Sequence, residues 1–146
     1  MRLTPCTALA VGMVIFGAVT LGGVRADAAA PCSMLSSDKV AAALGVPEVK
    51  TPGGTNRCVW TPTKYAPGTK SVTLQLMDEK GFAAQRTRLD VMPVMGIGDE
   101  AVQSTRIPVL TVKKGTVYFS LSVSGLPVNQ AIAAEQSLAK QIVLGL

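Results

Sequence analysis

The spacing of apolar positions changes several times along this chain, and the changes mark its parts. Residues 8–24 (ALAVGMVIFGAVTLGGV) are apolar and uncharged, with Arg2 before them and Arg25, Asp27 and a cluster of alanines after them. A basic start, an apolar middle and small residues at the end are the order of a secretory signal. Ala26 and Ala28 place cleavage after Ala28. The run of about 17 residues also approaches the length of a spanning helix, so an uncleaved N-terminal anchor is the alternative. Lipid attachment at Cys32 is disfavoured by Pro31 immediately before it.

Beyond the apolar run the periods become those of a folded domain. Leu35 to Pro47 reads as a short helix, with Ser36 as N-cap, Leu35 and Val40 as a hydrophobic staple, and Gly45 and Pro47 as its stop. Thr51–Asn56 (TPGGTN) is a loop. Arg57–Thr61 is a strand with Cys58 and Trp60 on one face, and Trp60 is expected beside Cys58. After a second loop, Ser71–Met77 alternates, with Val72, Leu74 and Leu76 inward and Thr73, Gln75 and Met77 outward. Asp78–Leu89 reads as a helix capped by Asp78, with Phe82 and Leu89 on one face. Met92–Gly98 is irregular and Ala101–Thr105 a strand. Val109–Lys113 and Thr116–Ser124 form a hairpin around Lys114-Gly115. In its second arm Val117, Phe119, Leu121 and Val123 face one way, Tyr118, Ser120 and Ser122 the other. From Pro127 onward Val128, Ile132, Leu138, Ile142 and Leu146 follow helical spacing, with Ala131 and Ala139 beside them.

The expected order is α-β-β-α-β-β-β-α. The simplest solution is an α+β fold: one antiparallel sheet of about five strands with helices packed on one face. Residues 1–28 are then the signal peptide and residues 29–146 a single domain.

Four of these segments resemble a broad family of small exported bacterial proteins and lipoproteins of unknown function. They are the early cysteine before the Leu-Ser-Ser…Ala-Ala-Leu-Gly helix, the strand Cys58-Val59-Trp60, the segment Gly96-Ile97-Gly98-Asp99-Glu100-Ala101 and the Ala-rich closing helix. The resemblance covers nearly all of residues 32–146 and implies a fold and an exported location, with no established activity. Members often carry a lipidation motif and a second cysteine pair; this chain has neither.

Three cysteines refine the picture. Cys6 belongs to the signal segment, and Cys32 and Cys58 make an even pair in an exported chain, expected as a disulfide in an oxidising compartment. The net charge of +5 contains no dense basic cluster, so nucleic acid is not implied. Membrane contact is expected only through an uncleaved N-terminal segment or weak surface attraction.

The chain has no histidine. That removes the commonest general base and metal ligand and excludes a Ser-His-Asp triad; zinc catalysis would have no histidine, and its cysteines would be in a disulfide. No phosphate-binding glycine motif is present. No cofactor and no metal are expected. Gly96, Gly98, Asp99 and Glu100 form a candidate loop site for a cation or an acid/base pair, against the plainer reading of a tight turn. Lys39, Lys70 and Lys113 lie near hydroxyl residues, and Lys113-Lys114-Gly115 forms a basic hairpin tip. The outward residues Thr73, Gln75, Met77, Tyr118, Ser120 and Ser122 form a candidate binding surface, rich in the residue types of recognition faces. The expectation is a non-enzymatic exported protein, periplasmic or secreted, that binds an envelope or secreted protein. A carboxylate or Ser/Lys enzyme and a structural or membrane-surface protein are the alternatives.

Overall fold

A computed structural model describes residues 30–64 and 68–146. The expected signal segment, its cleavage site and Cys6 lie outside the described residues. The alternating stretches pair into the centre of an antiparallel sheet: β2 (Arg57–Pro62), β3 (Ser71–Met77), β5 (Glu100–Ser104), β6 (Val109–Lys114) and β7 (Val117–Ser124). Two short strands extend it at the edges, β1 (Val49–Lys50) and β4 (Val91–Pro93). The order across the sheet is β1-β2-β3-β7-β6-β5-β4. Among the described residues the sheet therefore has seven strands, not about five. The two added strands run only two and three residues, too short to show a period, and β4 ends in a proline of the kind tolerated at an edge.

Three α-helices complete the described residues: α1 (Ser37–Leu44), α2 (Glu79–Arg86) and α3 (Val128–Gly145). The observed order is α-β-β-β-α-β-β-β-β-α after a short 3-10 turn at Pro31–Ser33. Ser36 occupies the N-cap of α1 without a side-chain cap bond, and Gly45 closes the helix in the left-handed conformation. Asp78 caps α2 by accepting a hydrogen bond from the Gly81 amide at 2.8 Å.

The inner face of the sheet carries Cys58 and Trp60, Val72 and Leu74, Phe119, Leu121 and Val123, Leu110 and Val112, and Ala101, all buried. Val40 and Leu44 of α1 and Ala131, Leu138, Ala139 and Ile142 of α3 close over them. Cys32 and Cys58 are joined by a disulfide with Cα atoms 5.1 Å apart, which fastens the turn before α1 to β2.

Two expectations change here. The helices do not share one face: α2 lies on the outer face, its buried Phe82 ring centred 5.6 Å from Tyr118. Connectivity supplies the reason. The β3–β4 link must pass three intervening strands to reach the far edge, and α1 and α3 already fill the inner side. In addition, α2 stops at Arg86, so Leu89 leaves the helix and stands fully exposed instead of pairing with Phe82. At the ends of the expected α3 stripe, Val128 and Leu146 are exposed, and the buried stripe is Ala131, Glu135, Leu138, Ala139 and Ile142.

Candidate functional site

Three features of this fold concentrate polar side chains. The first is the outer sheet face. The β3–β7 register sets Met77 opposite Tyr118, Gln75 opposite Ser120 and Thr73 opposite Ser122, so the six expected residues form three facing pairs. They do not form one open surface. The Met77–Tyr118 row continues to Lys113 and Glu100 and lies beside α2. Phe82 stacks at a tilt on Tyr118, Lys113 Nζ lies 5.8 Å from the same ring, and Arg86 of α2 reaches Glu100 at 3.5 Å. The next two rows are Arg57–Gln75–Ser120 and Val59–Thr73–Ser122. Gln75 and Arg57 are exposed and the other four half-buried. Beyond Ser120 and Ser122 the rows reach Thr111 and Val109, where Gln85 of α2 and Ile107 help to enclose a cavity of about 180 Å³.

The second feature is the glycine loop before β5. Gly98 has φ +62°, and a Cβ there would collide with the Lys113 carbonyl oxygen and the Val112 side chain. The loop is thus pressed against β6. Asp99 donates its own amide to the Lys113 carbonyl, and its carboxylate accepts from the Gly115 amide at 2.6 Å and from Lys114 Nζ at 3.1 Å. The Gly115 amide above all, and Lys114 after it, hold the Asp99 carboxyl below its ordinary value. Asp99 therefore clasps the β6–β7 turn while Glu100 faces Arg86. The two adjacent carboxylates serve different partners and do not converge on a shared position. The described residues contain no group of three or more His, Cys, Asp or Glu placed to hold a metal. Of the lysines considered with hydroxyl partners, Lys70 donates to the Leu44 carbonyl at 2.7 Å, Lys113 lies over Tyr118, and Lys39 is exposed.

The third feature was not singled out from the sequence. Glu135 of α3 points into the inner core with no exposed surface. Its Oε2 accepts from Gln103 Nε2 at 2.8 Å and its Oε1 from the Val123 amide at 2.9 Å. β6 begins opposite Ser122, so Val123 lies one residue past the end of that ladder and Glu135 supplies an acceptor there. Burial pushes the Glu135 carboxyl up to about 7 against the pull of those two hydrogen bonds. Gln103 itself is buried and its Oε1 has no partner. The available signal was helical spacing: Glu135 falls four residues after Ala131 and three before Leu138, on the buried face of the helix.

At the molecule's edge a further ion pair forms within the α2–β4 loop. Arg88 grips Asp90 with two bonds of 2.9 Å, and Ser104 Oγ approaches the same carboxylate at 3.3 Å. The Arg88 side chain holds Asp90 down to about 2. Asp90 in turn ties this loop to the end of β5 and the β5–β6 loop, its carbonyl accepting the Thr105 amide at 2.8 Å. No protein-family model, curated protein or solved structure matches this chain.

Proposed function

We propose that residues 29–146 form a non-enzymatic binding module of an exported, oxidising compartment, periplasmic or secreted. In this reading the outer sheet face receives a partner protein of the envelope or the medium. The observation that carries the proposal is the pair of rows Arg57–Gln75–Ser120 and Val59–Thr73–Ser122, which lie beside α2 with their side chains at the surface. A strip of hydroxyls, an amide and one guanidinium offers hydrogen bonds, and the cavity at its end, about 180 Å³, is small for a ligand pocket, which suits a protein surface better than a small substrate. The Cys32–Cys58 disulfide and the leading apolar segment support the compartment. The enzymatic alternative would have to use Asp99 and Glu100, whose carboxylates already serve a turn and an ion pair.

Affinity capture from the native envelope fraction tests the proposal, comparing the wild type with Gln75→Ala/Ser122→Arg. The expected result is loss of the captured partner at an unchanged melting temperature; undiminished capture overturns it. Tyr118→Ala is unsuitable because Tyr118 anchors Phe82 and its loss would loosen α2.

A membrane-surface role is the second reading. It is favoured by Leu89 and Ile107, exposed on the two joined loops next to Arg88 and Arg106. Salt-sensitive sedimentation with anionic vesicles, reduced in Leu89→Asp, would support it; no sedimentation would remove it.

A further inference from the structure

The rows that carry the proposed partner face do not stop at Ser120 and Ser122. Across β6 they continue to Thr111 and Val109, and from Thr111 to Val102 of β5. Ser104, two residues further along β5 and therefore on the same face, stands opposite Val91 of β4. These outer side chains floor the cavity of about 180 Å³, and Arg88 of the α2–β4 loop and Ile107 of the β5–β6 loop line its side. The partner face thus runs directly into the cavity.

The lining narrows what can enter. Three valines and Ile107 make it largely apolar. An apolar cavity of about 150 Å³ takes a benzene ring, so this one has room for a single ring with a substituent. That is small for a free ligand and the right scale for one anchoring side chain of a protein partner. Among the described residues that line it, Arg88 alone is ionised, and it repels a lysine or arginine anchor. Its Nε and Nη2 are already bonded to Asp90 at 2.9 Å each, so an acidic anchor would approach a second carboxylate. A guanidinium at the wall favours an aromatic ring over an aliphatic chain.

Thr111 completes the selection. It is 3% exposed, and its side chain stands on the outer face at the cavity. Ser104 Oγ is bonded to Asp90, but Thr111 Oγ1 has no hydrogen-bond partner among the described residues. Unlike the Gln103 Oε1, it is not sealed from solvent. A wholly apolar anchor would cover this hydroxyl without pairing it, at a cost. A tyrosine brings a ring for the valines and an O–H for the threonine.

We infer that this cavity is the anchor socket of the outer face and receives one tyrosine side chain of the partner protein, its ring against Val91, Val102, Val109 and Ile107 and its hydroxyl paired with Thr111. The inference rests on the partner face proposed above and adds the residue type by which the partner is held.

The probes are p-cresol, which is the tyrosine side chain as a free molecule, and toluene, which is that of phenylalanine. Propionate and n-butylammonium stand for glutamate and lysine. Methyl NMR of the oxidised protein at pH 7 reads affinity and place together. p-Cresol should shift the methyls of Val91, Val102, Val109 and Ile107 saturably and bind about fivefold more tightly than toluene, the share of one neutral hydrogen bond. Propionate and butylammonium should leave those methyls unmoved. Thr111→Val should bring p-cresol level with toluene. No saturable shift with p-cresol, equal affinity for the two rings in the wild type, or undiminished p-cresol binding in Thr111→Val would overturn the inference.

Capture from the envelope fraction separates the socket from the face it belongs to. Val109→Phe fills the cavity from its floor, and Ile107→Trp, at a residue 55% exposed, does the same should the first variant fail to fold. The p-cresol shifts and the captured partner should be lost together at an unchanged melting temperature. A partner lost in Gln75→Ala/Ser122→Arg but kept by the cavity-filled protein overturns the anchor and leaves the face standing. A partner kept by both overturns the face, and the anchor with it.

Discussion

Replacing Glu135 with glutamine should abolish most of the pH dependence of this protein's stability between pH 5 and pH 8. In the unfolded chain the Glu135 carboxyl titrates near its ordinary value of 4.5, and in the folded chain near 7. Below pH 4.5 it is protonated in both states and its burial costs no charge. Between 4.5 and 7 the unfolded chain has given up the proton while the folded chain keeps it, so each step up in pH favours unfolding. Above 7 both states are ionised and the loss levels off. At about 1.4 kcal/mol for each pH unit separating the two values, the stability lost across the window is about 3 kcal/mol. Against a total of about 5–15 kcal/mol for a domain, that is a large fraction.

The window is clear of other titrations with resolved shifts. The chain has no histidine, and Asp90 and Asp99, both lowered, finish titrating below it. Urea unfolding at half-unit pH steps, followed by fluorescence of the single tryptophan, buried Trp60, reads the profile directly. Wild type should lose stability from pH 5 to pH 8, while Glu135→Gln stays level and is the more stable of the two at pH 8. Glutamine keeps an oxygen for the Val123 amide, and its N–H pairs with Gln103 once that amide turns its Oε1 toward it, so the variant conserves the packing while removing the charge. A level wild-type profile, or the same slope in both proteins, would refute the placement of an ionisable carboxyl in this core.

Three further outcomes follow from other parts of the chain. The Cys32–Cys58 bridge closes a separation of 26 residues, so Cys32→Ala/Cys58→Ala should lose roughly 3.5 kcal/mol in urea unfolding. The intact mass of the exported wild-type product should be two hydrogens below the reduced value and match cleavage after Ala28. Gly98→Ala should cost at least about 2 kcal/mol in the same assay, because it combines a left-handed backbone with a collision against the Lys113 carbonyl. Loss of stability there without change in partner capture would separate the loop's structural role from the outer face.

How much of this was legible along the chain depends on the length over which a period could be read. Ser71–Met77 and Val117–Ser124 run seven and eight residues with clean alternation, and both strands stand where their period placed them. Val49–Lys50 and Val91–Pro93 are shorter than two full repeats, and their pairing comes from neighbours already in the sheet. The face taken by α2 was not legible in α2 at all. One buried aromatic, Phe82, serves either side equally well, and the choice follows from strand order, which places β4 at the far edge from β3.

The closing helix shows the same limit in a form that bears on function. Reading its stripe from the large apolar residues Val128, Ile132, Leu138, Ile142 and Leu146 turns the helix slightly from its true seat, because side-chain size is not closeness of approach. Ala131 and Ala139 are fully buried about two turns apart along the helix, and Glu135 lies between them on the same line. What makes a carboxyl tolerable there is an amide 32 residues earlier and a backbone N–H left over where β6 begins one residue short. Neither partner is visible from the helix. The buried Glu135 arrangement therefore emerges only once the ladder's end, the helix seat and the amide are placed together.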